Sequence, residues 1–204
     1  MFQFSVFDAG QKTVDAHADH LLVLNHLIQR RDNAYTPYLF SAFQHGDKRW
    51  YCIQADRMDI NPDFHKKLEP IPLLSRFSNK ENSFCFYIRL NPAIKRTLVD
   101  PKRGKYDRLI PIKEYADALN WLKSNLMENG VAVSESEVKY QQPTPCSRGN
   151  TVIHDMLFWV RGYIFDLEKF ESLQLSGFGK RKGYGFGMLI PQDTFGYSVL
   201  QQIY

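Results

Sequence analysis

The glycine-rich stretch Gly177-Phe178-Gly179-Lys180-Arg181-Lys182-Gly183-Tyr184-Gly185-Phe186-Gly187 is the segment whose composition says most about chemistry. It lacks the Gly-Lys-Ser/Thr ending of a phosphate-binding P-loop. It also lacks the order of a dinucleotide fingerprint, in which the glycines follow a strand and open a helix. What remains is a backbone able to approach a phosphodiester closely, with Lys180, Arg181 and Lys182 to neutralise its charge. A second feature lies far away in sequence. His17 and His20 stand three residues apart, so on a helix they share a face and present two imidazoles to one phosphate. Near a helix N-terminus the macrodipole disfavours the imidazolium and keeps a ring available as a base. His26 lies six residues beyond His20, away from that direction. A histidine pair on an amphipathic helix is also compatible with an ordinary surface or structural role, and residue types alone leave both readings open. A zinc site would need ligands beyond His17 and His20, and no Cys-x-x-Cys or third-histidine signature supplies them.

The charge distribution adds to this. The chain has 204 residues, 26 Lys and Arg against 22 Asp and Glu, a net charge of +4 and a pI near 8.9. The sum is modest, but the cations are bunched: Lys95 with Arg96; Lys102 and Arg103 with Lys105 and Arg108; and the loop cations above. Lys95, Arg96, Lys102, Arg103, Lys105, Arg108, Arg148, Lys180, Arg181 and Lys182, with Gly179 and Gly183, form the expected RNA-binding set. Such clusters, close to Tyr106, Phe178 and Tyr184, suit a nucleic-acid backbone better than an acidic protein surface. Solvated charges on ordinary loops remain the alternative for any one cluster.

The elements that must position these residues follow from periodicity. Phe2 to Phe7 alternates with period two, a strand. From an N-cap at Thr13 or Asp15, Leu21, Leu24, Leu27 and Ile28 recur at helical spacing until Arg30-Arg31-Asp32. Tyr38 to Phe43 and Arg49 to Ile53 form a hairpin around Gln44 to Lys48. A weak helix over Asn61 to Leu68 precedes Glu69 to Leu73, whose prolines allow only an edge strand or linker. The second half repeats the order: a strand over Ser83 to Leu90, a basic loop through Lys102 to Arg108, and a strong helix over Ile112 to Asn129. In that helix Tyr115, Leu119, Leu122 and Leu126 share a face, and Gly130 closes it. Strands over Val131 to Tyr140 and Thr151 to Phe165, joined by a polar loop from Gln141 to Asn150, lead to a short helix at Leu167 to Leu175 and a last strand at Phe186 to Ile190. The fold class is therefore α+β, tandem ferredoxin-like (RRM-like) β-α-β-β-α-β domains, divided as 1–78 and 79–204. The 44% hydrophobic content suffices for a core. No apolar run reaches the roughly 18 residues of a membrane span, and no leader is read at the N-terminus, so a cytoplasmic location and no membrane partner are expected. Cys52, Cys85 and Cys146 are expected as buried thiols.

The chain resembles the CasE family of CRISPR-associated endoribonucleases, the repeat-processing subunits of Cascade-type effector complexes. His20 with Leu21-Leu22-Val23-Leu24 and then Tyr38-Leu39-Phe40 resembles the family's catalytic histidine on its first helix and the following strand. Phe86 to Pro92 with Lys95, then Arg108 to Ile112 and Trp121-Leu122, resembles its Arg-Leu-x-x-Asn-Pro segment and following helix. Gly177-Phe178-Gly179 through Gly185 to Leu189 resembles the glycine-rich signature of repeat-associated RNA-binding proteins. The resemblance implies recognition of a CRISPR repeat RNA hairpin and cleavage at the base of its stem by the RNA's own 2′-hydroxyl. Products would carry 2′,3′-cyclic phosphate and 5′-hydroxyl ends, no metal or other cofactor would be needed, and the partners would be other subunits of a CRISPR effector complex. His20 is the residue it assigns to proton transfer. The family has a tyrosine three residues before that histidine, where this chain has His17. The tail from Gln192 to Tyr204 extends past the family pattern as a docking element, a last strand or part of the core. A non-catalytic RNA-binding subunit and an unrelated ferredoxin-like interaction domain are the competing classes.

Overall fold

The structure is a computed structural model and describes residues 2–8, 15–28, 38–56, 67–70, 83–102 and 104–204. Thr13, Arg30 to Asp32, Asn61 to Lys66, Ile71 to Leu73, Arg103 and the expected boundary at 78/79 lie outside the described residues.

The first half contains β1 (Phe2–Asp8), α1 (Ala16–Leu22), β2 (Tyr38–His45), β3 (Lys48–Asp56) and β4 (Lys67–Pro70). The antiparallel sheet runs β2-β3-β1-β4, the strand order of a ferredoxin-like domain. Gly46, in the left-handed region at φ 57°, turns β2 into β3. The β2 and β3 side chains alternate as the period-two reading requires. Phe40, Ala42, Tyr51, Ile53 and Ala55 pack with Val23, Leu27 and Ile28 of the helical segment. Leu39, Phe43 and Cys52 pack instead with Tyr87, Leu157, Met188, Ile190, Val199 and Leu200 of the second half. After Leu22 the helix widens into a π-helical stretch, Val23–Leu27, before extended backbone at Ile28 ends it.

The second half holds β5 (Phe84–Leu90), β6 (Ala93–Asp100), β7 (Gly104–Pro111), α2 (Tyr115–Glu128), β8 (Val131–Cys146), β9 (Thr151–Ile164), α3 (Leu167–Ser176), β10 (Leu189–Pro191) and α4 (Phe195–Ile203). Its sheet order, β10-β5-β9-β8, repeats that of the first half. Phe84, Phe86, Ile88 and Leu90 form a core with Ala118, Leu122 and Leu126 of α2 and with Phe170 and Leu173 of α3. Tyr115, expected on the apolar face of α2, is instead 54% exposed at its first turn.

Two expectations are corrected. Gly104 to Arg108 is strand and not loop: Ile94, Leu98, Tyr106 and Ile110 share one face of a two-stranded hairpin, β6–β7, in which Ile94 opposes Ile110 and Leu98 opposes Tyr106. Only its tip is a turn, where Asp100 Oδ1 accepts from the Lys102 amide at 2.7 Å. Gln141 to Cys146 is strand as well, with Pro143 opposite His154 and Pro145 opposite Val152. β8 is an edge strand, so two missing N–H groups are tolerated there. Of the readings of the tail, the one that makes it part of the core holds: Thr194 caps α4 by accepting from the Tyr197 amide at 3.2 Å, and Val199 and Leu200 are buried. The three cysteines are buried free thiols. Among the described residues, no helix is long and apolar enough to cross a membrane.

Candidate active site

Asp15 starts the site. Its Oδ1 accepts from the amides of His17 at 2.9 Å and Ala18 at 2.8 Å, which sets the first turn of α1. The same carboxylate accepts from the Ser147 amide at 2.9 Å and the Ser147 hydroxyl at 3.1 Å, tying the tip of the β8–β9 hairpin to the helix start. Burial works against the Asp15 charge, but the hydrogen bonds from Ala18, Ser147 and His17 outweigh it and leave the carboxyl below its ordinary value. Arg148 is exposed in the turn after Ser147, beside this junction.

One turn on, the rings of His17 and His20 stack with centroids 6.2 Å apart. The three-residue spacing places both imidazoles on one face, as helix geometry requires. His17 Nδ1 is out of solvent without a hydrogen-bond partner among the described residues. The Tyr38 hydroxyl lies 3.5 Å from His20 Nδ1. Tyr184 meets both rings, its centroid 6.4 Å from His17 and 5.9 Å from His20, and the Arg181 guanidinium lies 5.9 Å above the Tyr184 ring. His26 is exposed on the π-helical stretch. Two tyrosines therefore join the histidines without a role having been read for them from spacing. Tyr184 carried one local signal, a phenol set among glycines with no apolar periodicity to explain it.

A buried anchor holds this helix. Asp19, between the two histidines, is fully buried and accepts from Arg49 Nε at 3.2 Å and from the Tyr51 hydroxyl at 2.7 Å, with Arg49 Nη2 completing the ion pair. Burial, followed by the Asp19 charge, pushes the Tyr51 hydroxyl far above its ordinary range. A second buried pair, Arg89 with Asp155, is closed by the hydroxyls of Thr144 at 2.7 Å and Tyr140 at 3.3 Å. The Arg89 guanidinium also lies 4.4 Å from the centre of the Phe186 ring, and the Arg89 carbonyl accepts from the Gly187 amide at 2.8 Å. These interactions fix the foot of the glycine-rich loop.

The glycines of that loop divide by role. A Cβ at Gly185 would meet the Phe40 ring at 2.7 Å, and one at Gly187 would meet the Phe178 carbonyl at 2.1 Å. Both are left-handed and are required by packing. Gly179 and Gly183 are exposed, with only Leu90 and His20 at the 4 Å margin of an added Cβ. Lys180 and Arg181 are exposed, whereas Lys182 Nζ turns back to donate to the Ser176 carbonyl at 2.8 Å. Lys95, Arg96, Lys105 and Arg108 lie on the β6–β7 hairpin and Lys102 at its tip, all exposed. Arg96 stands opposite Arg108, and Lys95 is paired with Asp107 at 2.6 Å. Lys95, Arg108, Lys180 and Arg181 meet at one cavity, so hairpin and loop cations converge although far apart in sequence. Among the described residues, no group of three or more His, Cys, Asp or Glu side chains is arranged to hold a metal ion.

Two ferredoxin-like halves, a paired-histidine helix and a cationic glycine-rich loop define the class. The chain belongs to the CRISPR associated protein family, whose model matches residues 5–190. No curated protein sequence matches it significantly. Among solved structures it is similar to the CRISPR-associated protein Cas6e from Escherichia coli str. K-12, with 19% identity, a TM-score of 0.71, and 94% of this chain and 98% of that one covered. It is also similar to Thermus thermophilus Cse3 bound to an RNA representing a pre-cleavage complex, with 15% identity, a TM-score of 0.67, and coverage of 93% and 97%. A chain of a CRISPR RNA-guided surveillance complex matches with 18% identity, a TM-score of 0.57, and coverage of 94% and 98%. At these identities the likeness is one of fold.

Proposed function

We propose that this protein is a CRISPR RNA-processing endoribonuclease that binds the repeat hairpin of precursor CRISPR RNA and cleaves it at the base of the stem. The observation that carries the reading is the stacked His17–His20 pair under Tyr184 and Arg181, in a chain of this family. In the reaction, the 2′-oxygen of the nucleotide before the scissile bond attacks phosphorus as one imidazole takes its proton. The bond from phosphorus to the 5′-oxygen then breaks, and the other imidazole, protonated, supplies a proton to that oxygen. The products are a 2′,3′-cyclic phosphate and a 5′-hydroxyl. Lys180 and Arg181 neutralise the phosphorane, and Tyr38 orients the His20 ring. No metal has a role in this scheme.

The hairpin cations and Lys180 and Arg181 of the loop, with Arg148 beside α1, form the binding surface. Arg96 directly opposite Arg108 weakens the β6–β7 pair, and a phosphate backbone seated there relieves that repulsion. Similarity to a Cse3 bound to RNA and to a surveillance-complex chain supports this reading and the expectation of subunit partners.

The test is incubation of the purified protein with the repeat hairpin in excess EDTA, alongside a substrate with a single 2′-deoxy nucleotide at the scissile position. Cleavage of the first and none of the second is expected. A strict magnesium requirement, or cutting of the deoxy substrate, refutes the mechanism.

A further inference from the structure

Beside the histidine site, between the β6–β7 hairpin, α2, the start of β9 and the glycine-rich loop, lies a cavity of about 470 Å³. This falls within the roughly 300–1,000 Å³ of sites that take a small molecule. The proposed cleavage chemistry uses none of its deeper wall. Its four cations, Lys95, Arg108, Lys180 and Arg181, are all exposed and so stand at its mouth. Lys95 keeps its partner Asp107 at that mouth.

The wall is different in character. Trp121 and His154 line it with flat rings, both half-buried. The Trp121 ring is held edge-on by Phe178 at 5.7 Å. His154 Nε2 lies 3.0 Å from Gln141 Nε2, an amide donor, so the ring nitrogen is the acceptor. Burial and the nearby Lys113 charge hold that imidazole below its ordinary value, which keeps the ring uncharged at neutral pH. Asn91 and Asn125 add amides. Asn125 Nδ2 is engaged with the Trp121 carbonyl at 2.8 Å, and Asn91 Oδ1 is out of solvent with no partner among the described residues.

A cationic mouth over uncharged aromatic walls and a spare amide oxygen does not match a paired stem, which proteins recognise by shape and along its backbone. It matches one unstacked nucleotide, with phosphate at the mouth, the base on an aromatic face and its edge against amides. Resting on the reading that this chain binds repeat RNA, we infer that the cavity holds a single unpaired nucleotide flanking the stem, stacked on Trp121 and read by Asn91. Arg181 lines the cavity and also covers Tyr184, so the captured nucleotide adjoins the scissile phosphate. Capture would pull the strand away from the stem and turn the 2′-oxygen into line.

The experiment uses the full chain and the repeat hairpin with 2-aminopurine, or an abasic residue, placed singly at each nucleotide flanking the stem. One position should lose fluorescence on binding. An abasic residue there should weaken binding roughly tenfold or more, the effect expected of base stacking on an aromatic ring. That penalty should shrink to nearly nothing in Trp121→Ala. Because Trp121 is packed against the core, Asn91→Ala is the second variant; it removes an unpartnered atom and should reduce the penalty without loss of folding. A flat scan with normal hairpin binding and cleavage overturns the pocket alone. A penalty equal in parent and both variants does the same. Failure to bind the hairpin at all overturns this inference together with the proposed function.

Discussion

Replacing Asp19 by asparagine isolates the cost of losing the buried anchor of α1. Asp19 is fully buried, Arg49 is 1% exposed, and the Tyr51 hydroxyl donates to the same carboxylate. Asparagine keeps the volume but removes the charge that compensates Arg49. An uncompensated buried charge costs about 3–5 kcal/mol. For a chain of this size each kcal/mol moves Tm by about 2–4 °C, so the midpoint should fall by about 6–20 °C. The comparison that gives the number meaning is the triple variant Asp19→Leu, Arg49→Met, Tyr51→Phe, which removes all three polar groups together. Such replacements of buried ion pairs are often neutral or stabilising, so most of the fall in Tm should be reversed. Scanning calorimetry gives both numbers, and single-turnover cleavage adds a third. If the trio serves only to seat the helix, the triple variant should cleave within about tenfold of the parent, and Asp19→Asn should recover its rate on cooling. An Asp19→Asn Tm equal to the parent's refutes the anchor. A triple variant no more stable than Asp19→Asn refutes the account of why the pair matters.

Exchanging Lys180 and Arg181 together for alanine should reduce the magnitude of the slope of log affinity against log salt by about 0.7–0.9 for each phosphate no longer neutralised. Lys182→Ala should leave the slope alone, because its Nζ is committed to the Ser176 carbonyl; equal slope changes for all three would contradict that placement. His20→Ala should lose about 10²- to 10⁴-fold in single-turnover rate with hairpin affinity nearly intact, and a parental rate would remove it from catalysis. The parent rate should trace a bell against pH; His17→Ala should abolish one limb, and His17→Tyr should restore part of the rate with that limb moved upward. An unchanged profile in His17→Ala would show that the pair does not act as one. Asp15 has a folded carboxyl value below the unfolded one, so its stabilisation is complete above the ordinary carboxylate value of about 3.9 and lost as pH falls through the lower folded value. Asp15→Asn should therefore flatten the acid limb of stability below about pH 4, measured by denaturant midpoints. An equally steep limb would mean that the charge contributes nothing.

The β-α-β-β order of the first half and the β-α-β-β-α-β order of the second were legible where an element carried a local periodicity: Leu119, Leu122 and Leu126 along α2, alternation along β2 and β3; Lys67 and Leu68, read as the end of a weak helix, belong instead to β4. The His17–His20 stack was legible for the same reason, since helical spacing fixes which residues share a face. What spacing could not reveal depends on long-range pairing. Asp15 meets Ser147 across 132 positions, and Asp19 meets Arg49 and Tyr51 across 30 and 32. The stretch from Lys102 to Arg108 read as a loop because its cations are more conspicuous than the alternation of Ile94, Leu98, Tyr106 and Ile110. The glycines read as clearance for phosphate, yet Gly185 and Gly187 give clearance to Phe40 and Phe178. Periodicity gives no information on which distant surface will need the room.

The two prolines of β8 also bear on how this protein behaves in company. An outer strand 16 residues long offers unpaired backbone groups to any passing chain, a template for fibrous association. Pro143 and Pro145 remove two donors from that rim. The register shifts after Val133 and Val138 break its flatness, and Glu135, Glu137 and Lys139 stud it with charge. That edge is therefore guarded against pairing sideways with a second chain at high local concentration.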